Sequence, residues 1–101
     1  MGGKLLNIYQ NRISIAKVAE KCEYYVTSID LDCWTSLGWE EIILKYEPET
    51  FKFIWAQIDL RKPQTEAQIR NIIEHLKPKG WCIQHVNEPL SDKDIEEIIR
   101  I

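Results

Sequence analysis

Glu40, Gln57 and Asp59 are the side chains best suited to chemistry, provided the chain brings them together. The apolar segments 40–46 and 51–60 flank Glu47-Pro48-Glu49-Thr50, which predicts a β-hairpin with a four-residue loop. With Tyr46 opposite Phe51 and no bulge, Leu44 faces Phe53, Ile42 faces Trp55 and Glu40 faces Gln57, all on one side of the sheet. Asp59 falls on that side too, two residues beyond Gln57. Two carboxylates at the edge of an apolar face can hold a hard divalent cation, Mg²⁺ or Mn²⁺. Such an ion activates water and stabilises the charge of a phosphodiester transition state. The alternative is that both strands outrun the core and these residues are simply solvated. A one-residue slip in register dissolves the cluster.

Other constellations offer less. Cys82-Ile83-Gln84-His85 has the spacing of half a zinc site, but residues 82 and 85 of a strand point to opposite faces and no second close pair exists. The three cysteines are an odd number, read as free thiols in a reducing, cytoplasmic setting. The N-terminal residues lack the apolar stretch of a secretion signal. No run of apolar residues is long enough to span a bilayer, so no membrane partner is expected. No phosphate-binding glycine loop is present.

The elements that must position these residues follow from periodicity. Leu5, Ile8 and Tyr9 recur at helical spacing and permit a short first helix. Ser14 can cap another, with Ile15, Val18, Ala19 and Cys22 on one face. Residues 24–31 are aromatic and β-branched and predict a strand. Thr65-Glu66-Ala67-Gln68 matches a capping box, opening a helix that buries Ile69, Ile72, Ile73 and Leu76. Pro78 and Gly80 stop it, residues 81–86 form a strand, and Ser91 with Asp94 starts a last helix. The expected architecture is a single α/β domain over residues 1–101. Its order is helix, three-stranded antiparallel meander, helix, parallel strand, helix, making a mixed four-stranded sheet flanked by helices.

The net charge of −3 argues against a generally basic nucleic-acid binder, but its distribution is uneven. Residues 1–21 and 61–80 each carry a net +3, whereas 22–60 carry −6 and 81–101 carry −3. Two basic blocks can meet phosphates while the acidic block repels them.

This order of elements, with Glu40 (or Glu41), Gln57-Ile58-Asp59 and Gln68, resembles the PD-(D/E)XK nuclease superfamily, which includes restriction enzymes, Holliday-junction resolvases and VRR-type nucleases. The resemblance spans residues 14–86. It implies Glu40 and Asp59 as metal ligands, with Glu41 as the other candidate acid. Gln57 becomes an orienting amide, Glu20 a helix-borne auxiliary acid and Gln68 a second-helix amide. Asp59 stands where that family has lysine, so the positive charge would come from Lys62 or Arg61. On this reading Glu40, Gln57, Asp59 and Lys62 are catalytic, and Arg61, Lys62, Gln68 and Arg70 contact nucleic acid. A second set of residues, including Val26, Asp30-Leu31, Trp39-Glu40-Glu41-Ile42, Pro48-Glu49 and Ile69-Arg70-Asn71-Ile72, resembles the small non-catalytic subunit of tRNA-splicing endonucleases.

Two functions are therefore expected. The first is a nuclease-fold protein acting on DNA or RNA, either as a metal-dependent phosphodiesterase or as a catalytically degenerate binding subunit. The second is a non-enzymatic interaction module with no cofactor. It would be an adaptor, inhibitor or structural subunit that meets a protein partner or a second copy through Trp34, Trp39 and the acidic loop.

Overall fold

The structure, a computed structural model, describes residues 2–33 and 38–100. Among the described residues, strands β1 (Lys4–Tyr9), β2 (Tyr25–Asp30), β3 (Phe53–Ile58) and β4 (Gly80–His85) alternate with helices α1 (Ala16–Lys21), α2 (Gly38–Lys45), α3 (Pro63–Leu76) and α4 (Asp92–Ile99). Every strand pair is parallel, and the order across the sheet is β2-β1-β3-β4. The expected antiparallel meander and mixed sheet are thus replaced by an all-parallel, doubly wound α/β sheet.

Two segments account for the difference. Residues 40–45 are helical, not the first arm of a hairpin. Trp39, Ile42, Ile43 and Tyr46 recur at i, i+3, i+4 and i+7, a helical stripe. Ile42 is 2% exposed and Leu44 is 85% exposed, which one face of a strand cannot produce. Residues 4–9 are a strand and not a helix. Leu5, Leu6, Asn7 and Ile8 are consecutively buried, as expected of a central parallel strand covered on both faces. β3 beside it is buried at every residue.

Helices α1 and α4 pack together on one side of the sheet, α2 and α3 on the other. On the first side Ile15, Val18, Ala19 and Cys22 meet Leu5, Phe53 and Trp55, with Ile95 and Ile99 of α4. On the second, Ile42, Ile69, Ile72 and Leu76 cover Leu6, Ile8, Ile54, Ala56 and Ile58. The radius of gyration of 12.5 Å is that of one packed unit of this length.

Helix ends follow local chemistry. α3 begins two residues before the predicted capping box, because Pro63 suits the first helical position, where its missing N–H costs nothing. Lys62 is its N-cap and supplies no side-chain bond. Lys77 ends it in a left-handed conformation. α4 is capped as expected, with Ser91 Oγ accepting from the Asp94 N–H at 3.3 Å, a bond worth about 1 kcal/mol.

Candidate functional site

In a doubly wound sheet, chains leave β1 and β3 toward opposite faces, and the crevice beyond their carboxyl ends is the usual place for a ligand. Here side chains of the protein bond the backbone of the loops around that crevice. Gln10, just past β1, accepts the Asp59 N–H on its Oε1 at 2.7 Å. His85, at the end of β4, accepts the Leu60 N–H on Nδ1 at 3.1 Å. Asn11 and Arg12 both take positive φ, and the Asn11 N–H donates to Asp32 Oδ2 at 2.9 Å.

The carboxylate at this edge is also engaged. Arg61 donates from Nε to Asp59 Oδ1 at 2.9 Å and from Nη2 to Oδ2 at 3.1 Å. The Arg61 backbone N–H adds a third bond at 3.0 Å. The guanidinium hydrogen bonds lead in holding the Asp59 carboxyl down to about 2. Cys33 sits beside Asp30, whose carboxylate pushes the thiol up and away from the thiolate that a nucleophile needs.

The remaining predicted site residues are dispersed. Glu40 and Glu41 lie on α2, so the strand pairing that would carry Glu40 to Gln57 and Asp59 does not exist. Glu40 instead lines an open depression of about 210 Å³ between α2 and α3, with Trp39, Ile43, Gln68 and Asn71. Gln57 is 1% exposed. Its Oε1 accepts from Trp55 Nε1 at 3.0 Å and its Nε2 donates to the His85 carbonyl at 2.8 Å. Glu20 is exposed on α1, and Lys62 is exposed before α3. Arg70 is bonded to Glu66 Oε2 at 3.1 Å, one turn away on α3. Trp39 is half-buried against the α2/α3 core, and Trp34 lies outside the described residues. Among the described residues no group of three or more His, Cys, Asp and Glu side chains is arranged to hold a metal ion. No helix among them is long and apolar enough to cross a membrane.

The opposite edge of the sheet holds what the sequence reading did not assemble. An open groove of about 450 Å³ is lined by Gly3, Lys4, Glu49, Thr50, Phe51, Lys52, Lys77 and Lys79. Backbone bonds lock its walls. The Lys52 N–H donates to the Lys4 carbonyl at 2.8 Å, the Lys79 N–H to the Lys52 carbonyl at 3.0 Å, and the Glu49 N–H to the Leu76 carbonyl at 2.7 Å. Gly3 has φ +142°, and a Cβ there would meet the Lys52 side chain at 3.2 Å, so a side chain would crowd the wall.

Four lysines and one glutamate line this mouth, and the Lys52 ammonium lies 5.9 Å from the centre of the Tyr24 ring. Among the described residues the ion pairs are Arg61–Asp59 and Arg70–Glu66, and neither involves a groove lysine. The C-terminal dipole of α3 accounts for a lysine at position 77, but not for Lys4 and Lys52 on two other segments. The signal in the sequence was the pair of basic blocks. Parallel strands place their starts at one edge, which unites Lys4 from the first block with Lys77 and Lys79 from the second.

Comparison of the chain with protein-family models, curated proteins and solved structures finds no match.

Proposed function

We propose that this protein is a small nucleic-acid-binding module that grips phosphates in the groove of Lys4, Lys52, Lys77 and Lys79. The observation that carries the reading is four lysines, none held in an ion pair among the described residues, lining one open groove. A protein of net charge −3 that gathers so many cations at one place gains a local positive field that its total conceals. Glu49 is the one carboxylate in the lining, so the lysines outnumber it four to one. The reading corresponds to the binding-subunit form of the nucleic-acid expectation. It needs no metal and assigns no catalytic role to Glu40, Gln57, Asp59 or Lys62.

The test is fluorescence anisotropy with a labelled oligonucleotide over a range of salt. Each neutralised phosphate contributes about −0.7 to the log–log salt slope for a single strand and about −0.9 for a duplex. Four engaged lysines therefore predict a slope of roughly −3. Lys52→Gln with Lys79→Gln should flatten it by about 1.5. Salt-independent binding, or an unchanged slope in the double variant, would refute the proposal.

A further inference from the structure

The lysines are flanked by exposed aromatic rings, a relationship that specifies the form of the ligand. Along the N-terminal edge of the sheet, Tyr25 of β2 is in register with Lys4 of β1. Lys4 is bonded through its carbonyl to Lys52, and Lys52 through its carbonyl to Lys79. Trp81 follows two residues later on β4. Adjacent strands lie about 4.8 Å apart, so this row crosses roughly 14 Å from β2 to β4.

Tyr25 is 76% exposed and Trp81 48% exposed, two of the large apolar side chains that the fold leaves in water. Tyr25 is the first residue of one outer strand and Trp81 the second of the other, one at each end of the lysine row. Tyr24 and Phe51, also at this edge, are buried in the core and offer no ring to a ligand. The Arg70 guanidinium lies 5.7 Å from the centre of the Trp81 ring and is anchored by Glu66, which orients the indole.

Resting on the proposed phosphate grip, we infer that the ligand is single-stranded nucleic acid, whose unpaired bases stack on Tyr25 and Trp81 while its backbone follows the lysines. A duplex keeps its bases stacked on each other and gives these rings nothing to bind. A positive track with exposed aromatics is the general solution for single strands, and it tolerates sequence because every base has a π-face. Lysines alone would not distinguish the two forms.

The experiment compares full-length protein binding to a short oligo(dT), an oligo(U), a matched duplex and an abasic strand with the same number of phosphates. The base-bearing single strands should bind at least roughly thirtyfold more tightly than the abasic strand. Trp81→Ala and Tyr25→Ala should each reduce that advantage, and the double variant should abolish it with little change in salt slope. Trp81→Phe should restore most of the loss. Circular dichroism of each variant checks that the fold is kept. Oligo(U) and oligo(dT) separate RNA from DNA as the source of the strand. Equal affinity for abasic and base-bearing strands, or preference for the duplex, overturns the stacking inference while leaving the phosphate grip standing. No binding to any of the four overturns both.

Discussion

Arg61 closes on Asp59 with two parallel hydrogen bonds, 2.9 Å from Nε to Oδ1 and 3.1 Å from Nη2 to Oδ2. Residues two apart in the chain thus form a fork-on-fork pair at the exit of β3, with the Asp59 side chain only 14% exposed. This geometry fixes the carboxylate as an acceptor of protein donors. It also supports the loop that delivers the chain into α3.

The pair makes stability depend on acid. Arg61 hydrogen bonding holds the Asp59 carboxyl at about 2 in the folded protein, against about 4 in an unfolded chain. A depressed carboxyl stabilises the fold above its unfolded value, and that contribution is lost as pH falls through the folded one. Wild-type protein should therefore lose thermal stability between about pH 4 and pH 2 in part through this group. Asp59→Asn should be less stable near neutrality and lose less across that window. Melting temperatures measured from pH 6 to pH 2 check it, and parallel curves for the two proteins would remove Asp59 from the account.

Ile42 and Leu44 discriminate between helix and hairpin for residues 40–46. On a strand they share a face, and their truncation costs would be similar. On α2, Ile42 is buried at 2% exposure and Leu44 is 85% exposed. Ile42→Ala should cost about 2–5 kcal/mol, whereas Leu44→Ala should stay within about 0.5 kcal/mol. Urea denaturation at constant m-value provides the comparison, and similar losses at both positions would contradict the helix.

These two residues also show what could be read in the sequence. The segments of α3 and α4 were legible from their helical periodicity and capping residues, and those of β2, β3 and β4 from aromatic and β-branched content bounded by turn residues. Segment 40–46 was not, since it is short, holds the β-branched pair Ile42-Ile43 and ends two residues before Pro48, features that fit a hairpin arm as well as a helix. Calling it a strand turned a parallel crossover into a meander and carried Glu40 to the wrong place. Residues 4–9 failed for a related reason. A central strand buried on both faces has no alternation to reveal it, and Leu5, Ile8 and Tyr9 happen to suit a helix. The lysine groove could not be assembled from either reading. Its members come from three segments, and only a parallel register sets Lys4, Lys52 and Lys79 side by side. The basic blocks marked Lys4, Lys77 and Lys79 without their location, and Lys52 comes from the acidic block.

Gln57 separates a structural role from a functional one. Its amide accepts from the Trp55 indole N–H and donates to the His85 carbonyl, within a core where Trp55 is fully buried. Gln57→Leu keeps the volume and removes both bonds, leaving the indole donor unsatisfied. An orphaned buried donor costs about 1–3 kcal/mol, so the variant should melt several degrees lower. The groove lies at the other end of β3, so a folded Gln57→Leu protein should bind oligonucleotide within about twofold of wild type, a difference of roughly 0.4 kcal/mol. Melting and binding measured on the same preparation decide the matter. Preserved stability with lost binding would move the ligand to the carboxyl edge of the sheet, beside Asp59. Lost stability with preserved binding assigns Gln57 to the core.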